Sequence, residues 1–327
     1  MNIYLRIIFT ILMFTKVRFI EGFTSSVLCS RIPGLSPYQR QLCVESPDAV
    51  VSLSAGQLLG AQECQEQFKG HRWNCTQVWK KDMFGHIVII GSREAAFTYG
   101  ITSAGAVHAI TAACAKGNIS MCGCDSKQKS QFSTESDNWK WGGCSADIAF
   151  GMRFAKKFLD AREIESDDRS LMNLHNNRVG RKIVKVLLRT ECKFGNIMMR
   201  KYRKAKMVQA IPAVGKDNGS LQLVLKRRGK QQHTGVNSQK PKRMEMIYLH
   251  PSPNYCERDM STGILGTIGR QCNRTSTSMD KCDLLCCGRG YNTHNIVKSW
   301  QCNCKFKWCC TVSCDICTER IEEYTCK

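Results

Sequence analysis

Ten of the 21 cysteines in this 327-residue chain fall between Cys282 and Lys327: Cys282, Cys286, Cys287, Cys302, Cys304, Cys309, Cys310, Cys314, Cys317 and Cys326. The text around them, GRGYNTHNIVKSWQCNCKFKWCCTVSCDICTERIEEYTCK from Gly288 onward, holds few aliphatic residues. A segment so short of apolar surface folds only when covalent bridges or metal ions stand in for a hydrophobic core. Which of the two applies depends on compartment, because disulfides persist in exported proteins and are rare in the reducing cytosol.

The other end of the chain points to export. After Arg6 comes an apolar run from Ile7 to Phe14, the length of a signal-peptide core and well short of the ~20 residues that span a bilayer. A signal peptide is expected over residues 1–24, with cleavage between Gly22 and Ser26. No later stretch is long and apolar enough to cross a membrane, so the mature chain is expected to be secreted. Four N-x-S/T sequons agree, at Asn74, Asn118, Asn218 and Asn273. In that compartment the cysteines form a disulfide framework, and zinc, despite the C-x-C and C-x-x-C spacings, is the weaker reading. The count is odd, so at least one cysteine has no partner within the chain. None of the seven histidines joins a nucleophile in a recognisable motif, and no P-loop, dinucleotide fingerprint or HExxH is present. No enzyme and no cofactor are expected.

In chain order, CSRIPGLSPYQRQLC from Cys29 to Cys43 reads as a loop because of Pro33, Gly34 and Pro37. Helical spacing begins near Asp48 and runs through Val50, Val51, Leu58 and Cys64. The best helix is Ser92 to Lys116, which opens on a capping serine, is rich in alanine and stops at Gly117. Its small residues imply a helix packed closely by its neighbours. Two more helices are expected, over Ser145 to Ile164 and Arg169 to Thr190. From Lys193 to His250 the composition turns basic, with fourteen Lys or Arg against Asp217 and Glu245, a net +12 within the chain's +21. This stretch reads as a linker, with short strands at Leu221 to Leu225 and Met246 to Leu249. For an exported chain its polyanion is sulfated glycosaminoglycan rather than nucleic acid, held by Lys226, Arg227, Arg228, Lys230, Lys242 and Arg243. The expected organisation is a helical domain over 25–192, the basic linker over 193–250 and a cysteine-rich domain over 251–327.

Cys302-x-Cys304, Cys309-Cys310 and Cys314-x-x-Cys317 are nested, which suggests a hairpin closed by rungs: Cys304 with Cys314 and, outside it, Cys302 with Cys317. A bridge between the adjacent pair at the tip is disfavoured on spacing, since neighbouring α-carbons are ~3.8 Å apart against the usual ~4.4–6.8 Å.

These residues bring a family into view. Phe68–Thr76 (FKGHRWNCT), Gly91–Tyr99 (GSREAAFTY), Trp139–Asp147 (WKWGGCSAD), Leu171–Gly180 (LMNLHNNRVG), Cys282–Asn292 (CDLLCCGRGYN) and Trp300–Cys310 (WQCNCKFKWCC) resemble the Wnt proteins, secreted lipid-modified ligands of Frizzled receptors. Ile32–Arg40 and Ser252–Glu257 are most similar to the seven branch of that family. The resemblance implies an α+β, disulfide-rich, two-domain fold, with an N-terminal helical domain and a C-terminal cysteine-knot-like domain of long hairpins. It implies the bridges Cys64–Cys75, Cys114–Cys122, Cys124–Cys144, Cys256–Cys287, Cys272–Cys282, Cys286–Cys326, Cys302–Cys317 and Cys304–Cys314. The adjacent bridge Cys309–Cys310 is implied too, against the spacing argument, and Cys29–Cys43 is a further expected pair. The hairpin tip becomes a receptor-contacting finger: Phe306, Lys307, Trp308, Cys309, Cys310 and Val312. Asn74, Asn118 and Asn273 match family glycosylation positions, whereas Asn218 does not. Implied partners are the Frizzled cysteine-rich domain, a low-density-lipoprotein-receptor-related co-receptor and heparan sulfate in the extracellular matrix.

One departure stands out. After Glu191-Cys192-Lys193 the family continues with C-H-G-V-S-G-S-C and a K-T-C-W turn, the thumb hairpin whose serine carries a palmitoleoyl chain. Here Lys193 is followed directly by Phe194. The resemblance then implies no lipidation site in this chain, the loss of three cysteines, and Cys192 as the orphan thiol. A thumbless, non-signalling or antagonist form retained on matrix is the alternative to an active ligand.

Overall fold

The computed structural model describes residues 27, 29–76, 90–122, 147–163, 167–187, 194–213, 220–226, 239–308 and 311–327. They fall into two compact units. One holds the described residues of Met1–Gln67 and Val78–Ser252, the other Phe68–Gln77 and Pro253–Lys327.

The first unit is built around one helix. Helices α1 (Pro37–Glu45), α2 (Pro47–Gln67), α3 (Arg93–Ala115), α4 (Ile148–Leu159) and α5 (Asp168–Leu187) precede α6 (Phe194–Arg203) and strands β1 (Lys206–Pro212), β2 (Leu221–Leu225) and β3 (Ile247–Tyr248). Seventeen of the 23 residues of α3 are buried, so it has almost no solvent face and packs on every side. Glycine makes that possible. A Cβ on Gly105 would fall on the Gly56 carbonyl of α2, and one on Gly180 of α5 would fall on the Gly100 carbonyl of α3. At both crossings backbone meets backbone.

Helix α3 starts where the sequence says it should. Ser92 is fully buried, and its hydroxyl accepts the Ala95 N–H. Ser92→Ala should destabilise the first unit by about 1 kcal/mol, the usual value of an N-cap, read as a lower urea midpoint with an unchanged slope. Helix α4 is capped by Asp147, whose carboxylate accepts the Phe150 N–H at 2.8 Å. Its Phe154 and Phe158 face the core. Arg181 of α5, 4% exposed, forks onto both carboxylate oxygens of Asp160 at 2.9 and 2.8 Å and reaches the Ser103 hydroxyl. A buried cation is tolerable only with such a full set of acceptors.

Two expectations fail in this unit. The segment read as a loop after Cys29 contains α1. Pro37 occupies the first turn, where its missing N–H matters least, and Ser36 with Gln39 forms a reciprocal capping box. The proline was a start signal, not a breaker. The stretch read as a basic linker also folds, into α6 and a sheet of order β2-β1-β3. Strand β1 pairs antiparallel with β2 (Val208↔Leu225) and parallel with β3 (Lys206↔Ile247). Asn176 of α5 clasps β3 by accepting the Ile247 N–H and donating to the Ile247 carbonyl, at 3.1 and 2.9 Å. Buried Glu94 of α3 accepts the hydroxyls of Tyr202 and Ser252 at 2.7 to 3.0 Å, and burial, with that carboxylate beside it, raises the Tyr202 phenol well above its ordinary pKa. The net charge hid an amphipathic pattern: Phe194, Met198, Met199, Val208, Val224, Met246 and Ile247 are all buried while the cations around them face water.

The second unit has little core. Strands β4 (Gln271–Cys272), β5 (Tyr291–Lys307) and β6 (Thr311–Cys326), with the short helix α7 (Cys282–Leu285) between β4 and β5, form a sheet of order β4-β6-β5. Its buried cluster is Cys282, Leu285, Cys286 and Cys326, with Cys272, Tyr291 and Tyr324 packed against it. The FKGHRWNCT segment belongs to this unit and not to the helical one. Arg270 donates to the carbonyls of Arg72 and Lys69, and Arg72 donates twice to the Leu284 carbonyl.

Candidate functional site

The arms of β5 and β6 run in register from Tyr291↔Cys326 to Lys307↔Thr311. Seventeen residues of strand reach roughly 55 Å at the usual ~3.3 Å rise. A two-stranded ribbon of that length buries almost nothing and would not hold by itself. Disulfides take the place of a core. At the base the structure joins Cys286 to Cys326, Cys272 to Cys282 and Cys256 to Cys287. Higher up, Cys302 joins Cys317 and Cys304 joins Cys314. One rung sits at the lower edge of a register shift between Cys302 and Lys305 and the other lies within it, where Asn303 takes a left-handed φ of 49°. An irregularity that would let an unbraced ribbon slip is therefore pinned at its edge and within it.

Arg289 ties the base together. Its guanidinium donates to the carbonyls of Lys327 and Cys256, to Glu257 and to the Thr267 hydroxyl. Tyr291 and Tyr324 meet edge to face at 5.4 Å. The Tyr324 hydroxyl donates to Glu322, and that carboxylate raises the phenol's pKa.

The tip is apolar and uncovered. Phe306 and Val312 are cross-strand partners, 69% and 62% exposed, and Trp308 is 94% exposed. Lys307 ends β5, while Cys309 and Cys310 lie outside the described residues. Two residues that sequence reading passed over extend the patch along the arms: Ile316, 77% exposed, and Val297. Ile316 lies four residues from Val312 on β6, so the period of two puts both on one face. Alternation from Val312 was the signal available, and it was obscured by the cysteines.

Elsewhere the expected residues are distributed as follows. Cys29 is bonded to Cys43 and Cys114 to Cys122, and Cys64 and Cys75 are each disulfide-bonded. Cys124, Cys144, Cys192, Arg227, Arg228, Lys230, Asn218 and the signal segment lie outside the described residues. Lys226, Lys242 and Arg243 are exposed, and α6 adds exposed Arg200 and Arg203 to the same unit. Cys272, Cys286 and Cys326 bring three sulfurs within 4.8 Å. All three are spent on disulfides and offer no thiolate to a metal. No helix among the described residues is long and apolar enough to cross a membrane.

Known proteins are similar to this chain in sequence, and one solved chain in fold. Wnt-2 of Drosophila melanogaster is 51% identical over 357 aligned residues, which cover 100% of this chain and 99% of that protein. That alignment exceeds the 327 residues of this chain by 30, so at least 30 of its positions have no residue here. A chain from the structure of human WLS in complex with WNT8A matches with a TM-score of 0.55 and 30% identity, over 85% of this chain and 93% of that one. The N-terminal domain and linker of Drosophila WntD gives a TM-score of 0.38 at 18% identity, over 64% and 98%. A profile described as the wnt family matches residues 31–327. The chain belongs to the Wnt family, whose members are secreted signalling ligands and not enzymes.

Proposed function

We propose that this Wnt signalling ligand binds the cysteine-rich domain of a Frizzled-class receptor through the tip of the β5–β6 hairpin, and so acts in cell-fate commitment. One observation carries the reading. Phe306, Trp308 and Val312 stand exposed on a ribbon whose core has been replaced by disulfides. A large exposed apolar patch on a protein surface marks a contact surface. A cross-braced patch is also ordered before it binds, so little conformational entropy remains to be lost.

The wider reading includes a low-density-lipoprotein-receptor-related co-receptor and retention on heparan sulfate through Lys226, Lys242 and Arg243, with Arg227, Arg228 and Lys230. The second reading, a non-signalling or antagonist form on matrix, is favoured by the direct passage from Lys193 to Phe194. Helix α5 ends at Leu187 and α6 begins at Phe194, and the six residues between them contain no serine.

Purified secreted chain should be captured by an immobilised Frizzled cysteine-rich domain and assayed on Wnt-reporter cells. Capture with reporter activation supports the ligand, and capture that suppresses the response to an active Wnt supports the antagonist. No capture by any Frizzled domain would remove both.

A further inference from the structure

Three of the four sequons have their asparagine among the described residues, and they differ. In Asn74-Cys75-Thr76 the Asn74 Oδ1 accepts the Thr76 hydroxyl at 2.8 Å and the Thr76 N–H at 3.4 Å. Asn273 closes the same turn with Thr275, both distances being 3.0 Å. In each case the carbonyl oxygen is occupied by the turn, which leaves the Nδ2, the atom that bears an N-linked sugar, pointing away from it. Asn118 is arranged otherwise, since the Ser120 N–H and hydroxyl both go to Asp48, at 2.8 and 3.0 Å.

Asn74 and Asn273 share a turn but not a neighbourhood. Asn273 is exposed. Asn74 is half-buried and forms part of the wall of a shallow surface groove, with Arg72, Trp73, Thr76, Tyr255, Leu265 and the backbone at Gly263 and Gly266. The rings of Trp73 and Tyr255 are 6.4 Å apart, and Phe68 holds Trp73 edge-on at 4.8 Å. Leu265 is 41% exposed. The turn itself is clamped, because Cys75 is buried, disulfide-bonded and set at a left-handed φ of 63°. An aromatic and aliphatic groove thus opens directly beside a sugar-attachment atom on a fixed loop.

We propose that this groove is a carbohydrate subsite for the chain's own glycan: the first N-acetylglucosamine on Asn74 lies against Trp73, Tyr255 and Leu265. A pyranose ring presents C–H groups on its face and a methyl on its acetamide, and polarised C–H groups are attracted to the negative face of an aromatic ring. The attachment supplies the effective concentration that a free sugar would lack. The glycan on Asn273, which is exposed, projects into solvent. The inference rests on the secreted-glycoprotein reading, because sugar reaches Asn74 only on passage through the secretory pathway.

The test uses the full chain secreted from cultured cells, treated without denaturant with a peptide N-glycosidase. That enzyme converts each released Asn to Asp, so glycopeptide mass spectrometry times the two sites separately. Release at Asn74 should be at least ~10-fold slower than at Asn273, the factor that 1.4 kcal/mol of protection would give. Leu265→Ser and, separately, Tyr255→Ala should speed release at Asn74 towards the Asn273 rate. Because Leu265 is half exposed, its replacement keeps the comparison available if the tyrosine variant is not secreted. Equal rates in the unaltered chain, protection unchanged by Leu265→Ser, or sugar on Asn273 but never on Asn74 would each overturn the proposal. Sugar on neither asparagine would overturn instead the secreted-glycoprotein reading beneath it.

Discussion

Cells fed an alkynyl palmitoleate should secrete this chain without label, and it should bind a Frizzled domain at least ~1,000-fold more weakly than a lipidated Wnt does. The first half follows from covalent chemistry. The serine that carries the acyl group in the resembling family lies in a hairpin after Cys192, and here Phe194 follows Lys193 directly. Helix α6 starts at that phenylalanine, which is buried, and the six residues between Leu187 and Phe194 contain no serine. The second half follows from transfer free energy. Burying an acyl chain contributes on the order of 0.8 kcal/mol per methylene, so ten methylenes account for about 8 kcal/mol of gross contact. At 1.4 kcal/mol per tenfold that is more than five decades, and the immobilisation of a flexible chain offsets only part of it. A control chain with the family's serine hairpin inserted between Lys193 and Phe194 should take up label and recover affinity. Label found on any serine of the unaltered secreted chain would sink the prediction. The 30 positions by which the Wnt-2 alignment exceeds this chain leave room for the missing hairpin.

How far the sequence carries the fold depends on the kind of information each element uses. Helix α3 was legible to within a residue because its start is a local event, the Ser92 cap, and its end is Gly117 with a φ of 74°. The rungs Cys302–Cys317 and Cys304–Cys314 were legible because nesting leaves one planar way to close a hairpin. Strand β2 at Leu221–Leu225 was read correctly as well. What escaped was long-range. Nothing local tells Phe68–Gln77 to leave the helical unit for the cysteine-rich one, since its anchors, Leu284 and Arg270, come some 200 residues later. Helix α6 escaped for a different reason. Arg200, Lys201 and Arg203 dominate its composition, yet cations in a last turn favour a helix by interacting with its carbonyl end. At the tip the aromatic anchors were visible, but exposure was not. The sequence places Ile316 between Asp315 and Cys317, and only the structure shows that it stands 77% exposed.

That same exposure makes Trp308 the residue whose loss should separate binding from folding most cleanly. In the free chain its indole is 94% exposed at the far end of the hairpin, remote in register from the cluster at Cys286 and Cys326. Trp308→Ala should therefore leave secretion and thermal stability unchanged, within the ~0.5 kcal/mol typical of surface substitutions. Binding is another matter. A tryptophan moved from water into a receptor pocket is the commonest kind of hot spot, worth about 2–4 kcal/mol on truncation, or ~30- to 1,000-fold in Kd. Its carrier is stiff: two disulfides pin the register shift below it, so the loss is not softened by a tip that reorganises around the gap. Val51→Ala supplies the control, an apolar side chain 70% exposed in the helical unit that should leave binding untouched. The measurement is capture on a dimeric receptor domain, where two-point attachment makes weak single contacts readable. If Trp308→Ala binds as the unaltered chain does, the hairpin tip is not the contact surface. If it fails to be secreted, the indole has a structural role that its exposure denies.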